Sequence, residues 1–370
     1  KNLNLAKATK NDEFYTQYND IQKEIDSYLE YNSNVFRGKV VYCNCDDPFE
    51  SNFFRYFVLN FNKLKLKRLI TTSYKPSPVA NTQLALFGDD KTLTKSKGRP
   101  KITANKFIIN EVKDIDGDGE FNLKDVAKQL KANKHNEWTP LDADGDFRSP
   151  ECVKLLNESD IVVTNPPFSL FREYLKQLVD HDKKFLIIGS LNALKYANIF
   201  PLIKNNKIWL GVTSGAKIFI KPDKTEQKMG NTCWFTNLDH GRRHQPLPLM
   251  TKAEVIKFVT KKPFHKYDNY DAIEVSQVKN IPSDYKGAMG VPISFLDKYN
   301  PEQFEIIGLG QGNLYRELTP RGLKKEFVDN YYKNGGTGFI KEDHPILGYY
   351  NEDSKATIPY MRIIIKHRKI

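Results

Sequence analysis

Residues Asn165, Pro166, Pro167 and Phe168 form a tetrapeptide that could bind a flat amino group. The side-chain oxygen of Asn165 and the carbonyl oxygen of Pro166 can both accept hydrogen bonds from an exocyclic NH₂ group, which draws the nitrogen lone pair out of conjugation. The two prolines stiffen the turn, and the Phe168 ring can lie against a planar base. The tetrapeptide therefore predicts an amino-methylation site. The alternative is a strand-ending turn with Phe168 in the core.

The tetrapeptide follows a predicted strand, residues 160–164, and precedes a predicted amphipathic helix, residues 169–182. Upstream, the pattern predicts a strand from Gly38, a helix capped by Ser51 and a second strand near residues 66–74. Strands alternating with helices predict an α/β fold, a Rossmann-like sheet that is mostly parallel and flanked by helices. The segments 207–213, 216–221 and 232–238 predict an antiparallel edge, because no helix separates them.

The texture of the sequence changes after Pro246, where short strands are broken by Pro, Gly and Asn. We therefore predict two domains, residues 1–245 and a C-terminal mixed α+β domain over residues 246–370, with a polar insertion at about residues 75–106. A chain of 370 residues is long for one compact domain, which agrees with this division.

Four segments of the first 240 residues resemble the S-adenosylmethionine-dependent amino methyltransferases, and most closely the EcoRI-type DNA adenine-N6 methyltransferase family. They are DEFYT at 12–16, VVYCNCDDP at 40–48, GDFRSPEC at 145–152 and DIVVTNPPFSLFREYL at 160–175. The resemblance implies a site-specific DNA adenine-N6 methyltransferase, of a restriction-modification system or acting alone. It also implies a methyltransferase domain over residues 1–245 and a target-recognition domain that binds DNA over residues 246–370.

The resemblance implies a part in catalysis or cofactor binding for particular residues. The catalytic tetrapeptide is Asn165, Pro166, Pro167 and Phe168, which would hold the target base. The implied S-adenosylmethionine-binding residues are Phe14, Tyr15, Thr16, Asp46, Asp47, Pro48, Asp146, Phe147 and Phe171. Within this set, Asp146 and Phe147 would hold the adenine ring of the cofactor, and Phe171 would shape the wall between base and cofactor. The family's glycine-rich turn after the first strand is missing here, which puts the contacts near Asp46 in question.

An adenine inside a duplex is unreachable, so the expected mechanism requires base flipping, at a cost of a few kcal/mol. Stacking on Phe168, with Trp234 or Phe235 as a second ring, would offset this cost. Two rival functions remain open at this point. One is methylation of an RNA or protein-glutamine amino group by the same tetrapeptide, and the other is nucleic-acid binding by a chain with a dead catalytic site.

The segment from Asp114 to Asp125 has the spacing of a calcium loop, with oxygen ligands at Asp114, Asp116, Asp118, Asn122 and Asp125. We predict a structural calcium site, and the alternative is an Asp/Gly turn that caps a following helix. Two further motifs lie in the polar insertion. Gln83 to Phe87 resembles the peptide by which DNA-processing proteins bind the sliding clamp, or packs on the protein's own surface, and Lys97 to Lys101 resembles an AT-hook or is a solvated basic loop.

The composition agrees with a partner that is double-stranded DNA. The chain has 57 Lys and Arg against 45 Asp and Glu, a net charge of +12. The C-terminal third is the more basic per residue and includes Arg242, Arg243, Arg362, Lys366, Arg368 and Lys369. No apolar run approaches the ~20 residues of a membrane span, and the first residues do not read as a secretory signal. We expect a cytoplasmic, nucleoid-associated protein of bacterial or phage origin, with a cognate restriction endonuclease as a candidate partner.

Overall fold

The computed structural model describes Asp125 and the ranges 15–45, 51–74, 104–114, 135–221, 225–319 and 321–368. These residues form two compact units. The first unit contains the described residues up to Ala193 and those from Leu210 to His240. The second unit contains residues 194–209 and the described residues from Gly241 onward. Within these ranges, none of the helices combines the length and the apolar character that crossing a bilayer requires.

The first unit is built on one large mixed sheet, whose strand order across the described residues is β1-β8-β9-β7-β6-β2-β3-β4-β5. In chain order the strands are β1 (Tyr15–Thr16), β2 (Val40–Cys43), β3 (Arg68–Thr72), β4 (Asn105–Ile109), β5 (Glu137–Pro140), β6 (Ile161–Thr164), β7 (Lys184–Ser190), β8 (Trp209–Ile220) and β9 (Glu226–Thr236). The order places the sequence's buried apolar runs at the centre of the sheet.

The centre of this sheet is parallel and both of its margins are antiparallel. β2 pairs in parallel with β3 and with β6, and β6 pairs in parallel with β7. β9, β4 and β5 pair antiparallel with their neighbours. The predicted antiparallel edge is confirmed on the β9 side, and its first two predicted strands join into the single strand β8. The margin made by β4 and β5 was not predicted.

Helices pack on both faces of the sheet, as the sequence predicts. They are α1 (Tyr18–Tyr31), α2 (Asn52–Leu59), α3 (Phe61–Leu64), α4 (Pro150–Glu158) and α5 (Phe171–Asp180). Val41 and Val163 belong to the same core cluster as Ile21 of α1 and Phe53 of α2. Successive strand residues point to opposite faces, so Tyr42 instead lies on the side of α4. Ser51 caps α2 as expected, accepting from the backbone N–H groups of the second and third residues that follow it.

The second unit contains a four-stranded sheet in the order β10-β11-β15-β12 and a two-stranded ribbon of β13 with β14. These strands are β10 (Ala272–Glu274), β11 (Ala288–Pro292), β12 (Phe304–Leu309), β13 (Tyr349–Tyr350), β14 (Ala356–Thr357) and β15 (Arg362–His367). Its helices are α6 (Phe200–Lys204), α7 (Lys252–Glu254), α8 (Asn313–Arg316) and α9 (Lys325–Lys333), and a π-helical turn, Val255–Thr260, follows α7.

Arg362 and Arg243 were counted toward the DNA-binding charge of the C-terminal third. Both make contacts inside the second unit. The guanidinium of Arg362 contacts the Glu274 carboxylate at 2.6 Å, and that carboxylate also accepts from the hydroxyl of Tyr267. The guanidinium of Arg243 lies 3.5 Å from the centre of the Trp209 ring, and its side chain is buried. The charge of these two residues is therefore paired or packed within the unit and is not displayed on its surface.

Candidate functional site

The carboxyl ends of β2 and β6 meet at a topological switch point. β2 has β3 on one side and β6 on the other, so the connections leaving β2 and β6 run in opposite directions and open a crevice between them. In open α/β sheets, ligands bind in this crevice. The two strands end at Cys43 and Thr164, so the segments that follow them border the crevice.

A single buried asparagine, Asn44, joins the ends of three central strands. Its side-chain oxygen accepts from the backbone N–H of Cys45 at 2.7 Å and from the hydroxyl of Thr72, at the end of β3, at 3.0 Å. Its backbone carbonyl accepts from the hydroxyl of Thr164, at the end of β6. Asn44 is not among the predicted site residues, although a polar side chain directly after a buried strand is a usable signal.

The tetrapeptide begins at Asn165, directly after Thr164, whose hydroxyl donates to the Asn44 carbonyl. Asn165 is half-buried with its side-chain oxygen enclosed, and Pro166 is buried. The half-buried Phe168 ring packs edge-on against Phe219 of β8, with ring centres 6.3 Å apart. A short 3₁₀ turn, Phe168–Leu170, then leads directly into α5. The predicted sequence of strand, tetrapeptide and helix is therefore present.

The loop that carries Asp146 and Phe147 is held against the end of β3 by Gly145. Gly145 has φ +79°, and a Cβ atom there would lie 2.0 Å from the Ser73 carbonyl oxygen. Only glycine allows this approach between the two backbones. Ser73 follows β3 directly, so the Asp-Phe pair is positioned at the same edge of the sheet as the tetrapeptide.

Arg148 holds the Asp146 carboxylate from two sides. The Arg148 Nε and terminal nitrogens donate to the two carboxylate oxygens at 2.8 and 2.6 Å, and its backbone N–H donates at 2.9 Å. Its other terminal nitrogen donates to Glu173 of α5 at 2.8 Å. The hydrogen bond with Asp146 raises the pKa of Arg148 above its usual value, so the arginine is a permanent cation here. The guanidinium also lies over the Phe147 ring at 5.1 Å.

Helix α5 connects the Asp-Phe loop with the tetrapeptide. The Tyr174 ring contacts the Phe147 ring edge-on with centres 5.0 Å apart, and the Gln177 side chain donates to the Phe147 carbonyl at 3.1 Å. Because α5 begins at Phe171, directly after the tetrapeptide's 3₁₀ turn, these contacts link the two predicted binding segments through one rigid element.

The N-terminal strand β1 reaches the same region through β8. Tyr15 and Thr16 pair with Ile220 and Phe219, and Phe219 is the ring that supports Phe168. The carbonyl of Thr16 also accepts from the side chain of Asn52, the first residue of α2, at 2.7 Å. The structure therefore brings the described part of the predicted N-terminal element next to the tetrapeptide.

Glu24 of α1 fixes the path of β8. Its buried carboxylate accepts from the backbone N–H groups of Val212 and Thr213 at 2.8 and 2.7 Å and from the Thr213 hydroxyl at 2.7 Å. The same hydroxyl accepts from the Trp234 ring nitrogen at 3.0 Å. Burial raises the pKa of Glu24. Glu24 is not among the residues predicted from the sequence.

Three aromatic residues with predicted or suggested functions lie in the core. Phe171 is 3% exposed and packs on Gly189 and on Phe235. Trp234 and Phe235 are fully buried, so neither ring is available for stacking on a base in this structure. The suggestion of a second stacking ring at these positions is therefore wrong, whereas the predicted position of Phe171 in the wall between base and cofactor stays a prediction.

Several predicted residues lie outside the part of the chain that the structure describes. They are Phe14, Asp46, Asp47, Pro48, the segments 83–87 and 97–101, and the calcium ligands Asp116, Asp118 and Asn122. Among the described residues, no group of three or more His, Cys, Asp or Glu side chains could hold a metal ion. Nothing here supports the calcium site.

Comparison with known proteins identifies related methyltransferases. A family model described as "Adenine-specific methyltransferase EcoRI" matches residues 2–368. The type II methyltransferase M.EcoRI of Escherichia coli is 43% identical over 87% of this chain and 93% of its own length. The type II methyltransferase M.MpnI of Mycoplasma pneumoniae is 37% identical over 99% of this chain and 98% of its own length. No solved structure matches the chain significantly.

Proposed function

The chain belongs to the EcoRI adenine-specific methyltransferase family, and from this membership we propose that its tetrapeptide binds an adenine flipped out of duplex DNA. As a member, the chain is a DNA adenine methyltransferase that uses S-adenosylmethionine. The observation that carries the proposal is the position of Asn165 to Phe168 at the switch point between β2 and β6. This is the place where an α/β sheet binds its ligands.

The residues at this edge fit an adenosine-bearing cofactor. A half-buried carboxylate, Asp146, stands beside an aromatic ring, Phe147, on a loop that Gly145 holds at the end of β3. The Asp146 carboxylate can accept hydrogen bonds from an adenine amino group. The Phe147 ring is 3% exposed, so its contact with that adenine is a proposal that requires the ring to be uncovered. Arg148 holds the Asp146 carboxylate in a fixed orientation. When bound, S-adenosylmethionine supplies an electrophilic methyl group on a sulfonium.

The protein's own part in the reaction is to position the target nitrogen. The Asn165 side-chain oxygen and the Pro166 carbonyl oxygen accept the two hydrogens of the adenine amino group, so the nitrogen lone pair points away from the ring plane. The prolines keep both acceptors in place before the base arrives. Phe168, supported by Phe219, lies against the flipped base and offsets part of the unstacking cost. The amino proton leaves to solvent after transfer, so no general base is needed.

We propose that the second unit recognises the DNA target. Its exposed side chains around the π-helical turn combine an aromatic ring with basic groups, namely Phe258, which is 61% exposed, and Lys257, Lys261 and Lys266. π-helical turns are rare and occur frequently at functional sites. Lys257 lies 5.1 Å from the centre of the Phe258 ring. Exposed lysines suit a phosphate backbone, so this surface is a candidate for the nonspecific part of DNA binding.

The Asn165→Ala variant tests the proposed function. Labelled methyl transfer is measured from S-adenosylmethionine to unmethylated duplex DNA, to RNA and to a protein extract, with modified-base sequencing of the DNA. We expect N6-methyladenine in one short motif with the wild type, and a loss of about 100-fold or more in turnover with the variant, because a preorganised hydrogen-bond acceptor is removed. Cofactor binding, followed by calorimetry, should persist.

The Asn157→Ala variant is the matched control, because Asn157 is exposed on α4 and contacts His181 at 2.8 Å. Its turnover should equal that of the wild type. Transfer to RNA or to a glutamine amide, and not to DNA, would replace the proposal with the rival enzyme function. Absence of S-adenosylmethionine binding by the wild type would indicate a dead catalytic site.

Finer proposals concern partners and location. A cognate endonuclease, a sliding-clamp contact through Gln83 to Phe87 and a structural calcium ion at Asp114 to Asp125 remain proposals that rest on sequence patterns alone. We also propose a cytoplasmic location, because the substrate is cellular DNA. A pull-down with purified clamp tests the sliding-clamp contact. Calorimetry of the chelated protein with added calcium tests the calcium site.

A further inference from the structure

The loop after α9 presents a phenylalanine to solvent. Phe339 is 80% exposed, more than any other large hydrophobic residue in the part of the chain that the structure describes. The loop sequence, KNGGTGFIK over residues 333–341, has exposed lysines at both ends, Lys333 and Lys341. Phe339 buries little of its apolar surface in the described part of the protein, so that surface is open to a binding partner.

The loop is braced on both sides of Phe339. The hydroxyl of Tyr332 accepts a hydrogen bond from the backbone N–H of Ile340 at 2.8 Å. The same hydroxyl can donate to the carbonyl oxygen of Gly338 at 2.9 Å or to that of Ile340 at 2.8 Å. The residues directly before and after Phe339 are therefore held by one phenol. The ring projects from a supported backbone and is not carried by a slack segment.

A second tyrosine supports the first half of the loop. The Tyr331 hydroxyl donates to the Thr337 carbonyl at 3.0 Å, and its ring lies so close to Gly336 that a Cβ there would be 2.4 Å away. Gly338 has φ +89°, which a side chain would strain. Two tyrosines and the glycines together fix a tight turn, and such preorganisation lowers the entropic cost of binding.

We propose that Phe339 is a wedge that inserts between stacked base pairs of the DNA substrate and unstacks one step. This inference rests on the proposed function, because it takes duplex DNA as the partner. Proteins that bend or open DNA frequently insert an apolar side chain between base steps. The cationic ends of the loop, Lys333 and Lys341, suit the phosphates on either side of such a step. The nearby Asp343 is bound to Arg316, which offsets its charge.

Three variants test the wedge on unmethylated duplex DNA that contains the motif the enzyme methylates. The fluorescent base 2-aminopurine is placed in turn at each base-pair step of that motif. Phe339→Ala removes the ring, Tyr332→Phe removes the bracing hydroxyl and keeps the ring, and Phe339→Trp adds a fluorescent reporter. Tyr31→Phe is the matched control for the hydroxyl, because Tyr31 is exposed on α1 and its hydroxyl bonds to Asp239 at 3.2 Å.

We expect Phe339→Ala to weaken duplex binding roughly five- to tenfold, since one stacking contact is lost. The 2-aminopurine signal that the wild type induces at one step should disappear. Methylation of a single-stranded oligonucleotide should be unchanged, because no stack has to be opened. Tyr332→Phe should lie between the wild type and Phe339→Ala, Tyr31→Phe should match the wild type, and the Phe339→Trp fluorescence should be quenched by duplex DNA.

Equal duplex binding and an equal 2-aminopurine signal for Phe339→Ala and the wild type would overturn the wedge while leaving the proposed function intact. Wild-type binding by Tyr332→Phe would overturn the preformed, braced wedge. A wild-type protein that methylates no DNA at all would instead overturn the proposed function. The failures of the two proposals are therefore distinguishable.

Discussion

Replacing Gly145 with alanine should damage cofactor binding, because this buried residue lies directly against the backbone at the end of β3. The added Cβ would lie 2.0 Å from the Ser73 carbonyl oxygen and 3.0 Å from the Cβ of Ala104. Since the first atom belongs to the backbone at the end of β3, it cannot rotate away. The contact must lengthen beyond 3.0 Å, so the loop has to move by about 1 Å, and Asp146 moves with it.

The positive φ of Gly145 adds a second, separable cost. An L-residue in the left-handed region is destabilised by about 1 to 2 kcal/mol, partly offset by the lower entropy of the unfolded chain. Gly38 isolates this cost, because it has φ +69° and nothing within 4 Å of its Cβ position. Gly38→Ala should therefore lose roughly 1 kcal/mol of stability and keep its cofactor affinity.

Gly145→Ala should lose that amount plus about 1 to 3 kcal/mol for the forced displacement, and its KM for S-adenosylmethionine should rise at least about tenfold. Denaturant melts and initial rates at saturating DNA measure the two effects. If both variants show the same stability and the same KM for the cofactor, the close approach of Gly145 to Ser73 does not position Asp146, and the reasoning fails.

Two further predictions concern charge. Substituting Lys257, Lys261 and Lys266 together with glutamine should reduce the slope of log Kd against log salt by about 2 to 3, independent of DNA sequence, and an unchanged slope in a fluorescence-anisotropy titration would place the phosphate contacts elsewhere. Burial raises the pKa of Glu24, so this carboxyl loses its proton at a lower pH in the unfolded chain than in the folded protein. Its contribution to the free energy of unfolding therefore falls as the pH rises from the usual glutamate pKa through the raised one. Glu24→Gln removes the titrating group. The difference between the melting temperatures of wild type and variant should therefore decrease as the pH rises through this range. A constant difference would contradict the raised pKa.

The central strands and the tetrapeptide were predictable because their signals are local. Continuous apolar runs identify β2 and β6, and a rare Pro-Pro pair between a strand and a helix identifies the candidate site. β5 was not predictable from its own residues, since its sequence EWTP is only four residues long and includes Glu and Pro, which are depleted in strands. It forms because it pairs with β4, where Trp138 stacks on Phe107 with ring centres 5.3 Å apart.

The residues that hold the site in place were harder to find because their contacts are distant in sequence. Asn44 bonds to Thr72 and Thr164, and Gly145 approaches Ser73, so neither contact follows from spacing or periodicity. Charge shows the same limit. Arg362 counts toward the basic composition of the C-terminal third, but only the structure reveals that Glu274 neutralises it in the interior.

Asn44 is a shared hydrogen-bond partner of two strand ends at the candidate site. Its amide side chain bonds to Thr72 at the end of β3, and its backbone carbonyl bonds to Thr164 at the end of β6, so a displacement of either strand end is transmitted to the other. A substitution at Asn44 should therefore disturb the ends of β3 and β6 together, whereas a substitution at either strand end alone removes one bond of the junction.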